Sequence, residues 1–108
     1  MSKFFAEKFV TVSYDGLVAT NKYNTDASQV EYEIIEGPGK GSKGKSSCEW
    51  NEVSEGVYLI SWQEDSGATV VHLDDFKKGT SMTFFSTANN EFYRLKGTLV
   101  VKDNDLSS

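Results

Sequence analysis

Three side chains in this sequence have types that could do chemistry together: Glu64, His72 and Tyr14. Glu64 follows Tyr58, Ile60 and Trp62 at alternate positions of a run that is otherwise apolar on that face. A carboxylate beside an indole and away from water has its pKa raised by desolvation. That shift suits a general acid or base near neutral pH. At the end of its run, in water beside Asp65, the same residue is an ordinary surface carboxylate. His72 is the single histidine, either a structural hydrogen-bonder or a pocket group. Tyr14 either offers a phenol to a ligand or plugs the end of the fold with an aromatic ring. Tyr58, Trp62, Val70, Asp74 and Phe85 complete a set that could contact a small molecule, apolar walls with a few convergent polar groups.

Which of these share a surface depends on the turn at Asp65-Ser66-Gly67. A three-residue turn pairs Glu64 with Ala68, Trp62 with Val70, Ile60 with His72 and Tyr58 with Asp74, all on one face. A two-residue turn at Ser66-Gly67 moves Thr69, Val71 and Leu73 onto that face and His72 to the other.

Either register needs strands, and alternation of apolar and polar residues predicts them along the whole chain. The expected strands cover residues 9–14, 17–23, 29–36, 48–53, 57–64, 68–75, 81–87 and 91–101. Asp15-Gly16 is a strong hairpin signal, since both residue types accept a positive φ. Residues 3–8 could form one helical turn. Residues 37–47, GPGKGSKGKSS, read as a flexible loop, and residues 102–108 as a frayed polar tail. Eight strands in up-and-down order leave no open edge if they close on themselves. Such a barrel either fills with side chains or holds one small ligand.

Other chemistries find less support. Residues 39–46 match the phosphate-loop pattern G-x-x-x-x-G-K-[ST]. No helix follows to point its N-terminus at a phosphate, so the match is rejected. A flap at a barrel mouth, with Lys40, Lys43 and Lys45 attracting an anion, is the reading that survives. No G-x-S-x-G is present. One His and dispersed carboxylates make a poor metal set. The net charge of −5 argues against nucleic acid and against an anionic membrane surface. Cys48 is the one cysteine, which suits a reducing cytoplasm. Neither a signal peptide nor a membrane-length apolar run is visible.

The block EGVYLISWQEDSG at 55–67, Asp75-Phe76, and EFYRLKGTL at 91–99 resemble the MoaF-like group, molybdenum cofactor biosynthesis protein F and its relatives. The 55–67 block is also similar to the bacterial phenolic acid decarboxylases. Both are calycin, or lipocalin-like, barrels. In the decarboxylases two tyrosines, an arginine and a glutamate inside the barrel carry catalysis. The resemblance places that glutamate at Glu64, pointing inward, and one tyrosine at Tyr14. The second tyrosine falls on Val12, and the arginine falls in the 37–47 region, which offers only lysines.

The expectation is one all-β domain over residues 1–108, an eight-stranded antiparallel up-and-down lipocalin-like barrel. Its function would be binding a small organic ligand, aromatic or carboxylate-bearing, without cofactor or metal. One alternative is a small lyase or isomerase with Glu64 as acid or base and Tyr14 or His72 as its partner. Another is a structural barrel filled by Trp50, Trp62, Phe84, Phe85 and Phe92, with function in an outer contact or homodimer.

Overall fold

The computed structural model describes residues 7–103. Eight strands follow one another: β1 (Lys8–Tyr14), β2 (Leu17–Tyr23), β3 (Gln29–Glu36), β4 (Lys43–Ser54), β5 (Val57–Gln63), β6 (Thr69–Asp75), β7 (Thr80–Ser86) and β8 (Phe92–Asp103). Each pairs antiparallel with its neighbours in sequence, and β1 with β8 closes the barrel. Lys8 lies in β1 rather than in a helical turn, and Glu7 before it has φ 60°. The rest of that expected turn lies outside the described residues.

Two strands are much longer than the others, with 12 residues each. The first part of β4, Lys43 to Ser47, pairs with β3, and Cys48 onward pairs with β5. Likewise β8 pairs with β7 up to Thr98 and with β1 from Gly97 onward. These two strands lean across the barrel and supply the stagger that closure requires. The expected loop at 37–47 is therefore corrected: residues 43–47 are strand, with Lys43 opposite Glu33 and Lys45 opposite Glu31. Opposite charges across a strand pair offset the poor strand propensity of Gly44. Lys102 and Asp103 belong to β8 rather than to a frayed tail; the remainder of that tail is outside the described residues.

Gly97 sits where β8 changes partner, opposite Tyr14 on one side and Ser81 on the other. A Cβ there would run into the Ser13 carbonyl and the Tyr14 ring. The missing side chain lets β1 and β8 approach and leaves room inside for the Tyr14 phenol.

The turns after β1, β3, β5 and β7 gather at one end and those after β2, β4 and β6 at the other. The second end is packed shut. Tyr58 is wholly buried there, with the rings of Trp50 and Phe76 edge-on at 5.7 and 5.8 Å. Val10, Tyr23, Ala27, Val30, Cys48, Ile60 and Leu99 belong to the same core. The Cys48 thiol donates to the Ala27 carbonyl at 3.2 Å and ties the β2–β3 turn to β4.

Phe84 and Phe92 do not fill the interior. They alternate with Phe85, which borders the interior, and with Tyr93, stack on each other outside at 6.3 Å, and Phe92 is 52% exposed. No helix of the described residues is long and apolar enough to cross a membrane.

Candidate functional site

The β5–β6 turn has three residues. The Gly67 N–H donates to the Glu64 carbonyl, the Glu64 N–H to the Ala68 carbonyl, and Gly67 takes φ 99°. Only a residue without Cβ accepts that conformation cheaply. The turn sets Trp62 against Val70, Ile60 against His72 and Tyr58 against Asp74, and all six side chains are buried. The three-residue register is therefore the one adopted.

A cavity of about 170 Å³ lies at the first end, among Val12, Ala19, Ile34, Val70, Phe85 and Leu95. Tyr14, Asn21, Tyr32, Glu33, Trp62, Glu64, His72 and Thr83 add its polar and aromatic groups. Of the sequence candidates, Tyr14, Trp62, Glu64, Val70, His72 and Phe85 thus share one cavity. Tyr58 and Asp74 do not reach it. They share the inward face but sit deeper, in the closed half.

The floor is a chain of buried polar groups. The Tyr14 hydroxyl bonds to Thr83 Oγ1. Thr83 Oγ1 lies 3.0 Å from His72 Nδ1. Ser81 Oγ donates to Asp74 Oδ1 at 2.6 Å. The same Asp74 oxygen is 3.4 Å from His72 Nδ1. Asp74 Oδ2 is buried with no hydrogen-bond partner among the described residues. Thr83 and Ser81 follow from alternation on β7 once Phe85 points inward, so their face was readable. Asn21, Ala19, Tyr32 and Ile34 come from strands whose alternation was visible but whose distance from Glu64 was not.

Three flat rings line up above this floor. Trp62 stacks with His72 at 5.3 Å and with Tyr32 at 6.0 Å. Tyr32 reaches this position across Gly44, where a Cβ would meet its ring. The Trp62 indole N–H donates to Glu64 Oε2 at 3.3 Å. Burial raises the Glu64 carboxyl above its ordinary value, and the indole hydrogen bond opposes that rise.

Burial also pushes the Tyr14 phenol up to about 12, against the lowering effect of the Thr83 hydrogen bond. It pushes the Cys48 thiol up to about 11 and Tyr23 well above its ordinary value. These acids are held neutral, so the folded chain keeps their protons more tightly than the unfolded chain does. Their contribution to stability is complete below the ordinary values and is lost as pH rises toward the raised ones. We expect stability to fall between pH 9.0 and about 11 as the Cys48 thiol titrates, and further as Tyr14 ionises between 10.0 and about 12. Urea midpoints measured across that range check this, and Cys48→Ala should flatten the first part of the decline. A midpoint that does not move above pH 9.0 would contradict the burial of both groups.

Among the described residues no group of three or more His, Cys, Asp or Glu side chains could hold a metal ion. No curated protein matches the chain. A crystal structure of a Burkholderia vietnamiensis protein, provisionally described as a beta-lactamase, is similar to it at 44% identity and a TM-score of 0.89. The match covers 94% of this chain and 98% of that one. The MoaF-like family model matches residues 6–100, a span that takes in every residue lining the cavity, and the chain belongs to the MoaF-like family.

Proposed function

We propose that this barrel binds a small organic molecule of about one aromatic ring in the cavity at its open end. The observation that carries this reading is the contrast within the cavity between apolar walls and a buried polar floor. Val12, Ala19, Val70, Phe85 and Leu95 line its sides, while Tyr14, Asn21, His72 and Thr83 converge below. Ligand pockets have this composition. A volume of about 170 Å³ is close to the roughly 150 Å³ cavity known to admit benzene.

A second reading, an enzyme with Glu64 as general acid or base, draws support from the raised Glu64 carboxyl inside the same cavity. The beta-lactamase description of the Burkholderia protein is a third. Ser81 carries it poorly: its hydroxyl is engaged by Asp74 and is 3% exposed. His72 presents one nitrogen, Nδ1, to Ser81, Thr83 and Asp74 alike. A hydrolytic triad uses the two ring nitrogens for different partners.

The test is ligand-observed NMR with single-ring aromatic compounds, followed by Trp62 fluorescence in a Trp50→Phe background. Saturation transfer and a change in Trp62 emission with the same compound are expected. Absence of both at about 1 mM, the weak end of specific affinity, would sink the binding reading.

A further inference from the structure

Charge inside the barrel narrows the ligand class. One carboxylate, Glu64, points into the cavity, and among the described residues no lysine or arginine lines it; Glu33 touches only its rim, exposed on the outer face of β3 opposite Lys43. Behind the floor sits a second, Asp74, fully buried, with one oxygen that has no hydrogen-bond partner among the described residues. Its partners are Ser81 and His72.

The lysines that the sequence placed nearest the mouth point elsewhere. Lys43 and Lys45 are exposed on the outer face of β4, and the Lys45 ammonium is 3.8 Å from Glu31. Lys40 is exposed in the β3–β4 loop and does not line the cavity. An anionic guest would meet the Glu64 carboxylate with no lysine or arginine to offset it, the costly arrangement. A cation meets the reverse.

The walls suit a cation as well. Tyr14, Tyr32, Trp62 and Phe85 all border the cavity, and aromatic rings attract ammonium groups through their negative faces. The Trp62 N–H occupies Glu64 Oε2, which fixes the carboxylate and leaves Oε1 for a donor.

We propose that the cavity takes a small aromatic amine in its cationic form, with its ring against the apolar wall and its ammonium at Glu64. This rests on the ligand-binding reading above and replaces the carboxylate-bearing ligand expected from sequence. Glu64 would be a binding residue here, accepting a charge-assisted hydrogen bond.

Three compounds of nearly the same shape test it: benzylamine, benzyl alcohol and benzoate, titrated at neutral pH by ligand-observed NMR. Benzylamine should bind at least about tenfold more tightly than benzyl alcohol, the scale of one charge-assisted hydrogen bond, and benzoate should bind weakest. Glu64→Gln should remove that advantage, so that benzylamine and benzyl alcohol bind the variant about equally. The substitution keeps an acceptor for the Trp62 N–H and removes a carboxylate whose charged form burial disfavours. The variant should therefore fold, and a thermal melt checks that it does. Benzoate or benzyl alcohol binding as tightly as benzylamine would overturn the cation assignment and leave the binding reading standing, as would a Glu64→Gln variant with undiminished amine preference. If none of the three binds, the binding reading itself fails and the assignment falls with it.

Discussion

Replacing Ala19 by Phe should cut the affinity for single-ring aromatic ligands by more than about 100-fold while leaving the barrel about as stable as before. Ala19 lies on β2 between Val12 and Ile34, and all three border the cavity. A phenylalanine there puts a benzene-sized group into a space of about 170 Å³, which leaves no room for a second ring. Two opposing effects set the stability. Burying the new ring gains roughly 1.5–3 kcal/mol. Crowding its neighbours costs about 1–3 kcal/mol where the fit is imperfect. They nearly cancel, so the melting temperature should move by only a few degrees. Titration of the wild type and variant with benzyl alcohol, alongside thermal melts, measures both. Undiminished binding by a folded Ala19→Phe variant would mean that the ligand sits somewhere else.

The second large effect belongs to the closed end. Tyr58→Ala should destabilise the fold by about 3–5 kcal/mol, the usual cost of deleting a buried aromatic ring. Tyr58 has no solvent exposure, and two other rings, Trp50 and Phe76, pack edge-on against it. Its removal takes away the shared partner of both and opens the barrel from the side opposite the cavity. For a domain of this size the melting temperature should fall by roughly 15 °C or more, a large share of a typical total stability of about 5–15 kcal/mol. Differential scanning calorimetry reads this directly. A fall of only a few degrees would show that Trp50 and Phe76 close the gap on their own.

How much of this was visible beforehand can be judged strand by strand. Asp15-Gly16 marks the first hairpin, and it occurs where expected between Tyr14 and Leu17. Alternation within β5 and within β6 was legible because its period is two, but whether Val70, His72 and Asp74 share the face of Trp62 depended on the length of the 65–67 turn, which the sequence left open between two and three residues. Depth along that face was not legible. Asp74 and Tyr58 fall on the correct face yet lie in the closed half, because strand tilt decides which level of one strand meets which level of another. The Lys43–Ser47 stretch shows the opposite limit. Its one glycine and two lysines read locally as part of a flexible loop, and only pairing against Glu31 and Glu33 makes it a strand. Phe84 and Phe85 are adjacent and equally aromatic, so composition alone gave no reason to send one outside.

The pairing of β1 with β8 has a further consequence. All the other strand pairs join neighbours in sequence, so each can form as a hairpin with little loss of loop entropy. The seam alone joins the two ends of the barrel, with Lys8 opposite Asp103. Folding should therefore zip through seven local hairpins and wait on one distant meeting. The same geometry makes the barrel nearly indifferent to where its chain is cut. A short linker from residue 103 to residue 8 would turn the seam into an eighth hairpin, and new ends could be opened in the exposed 37–42 loop. Such a circular permutant would keep every cross-strand pair and would change only the order in which they form.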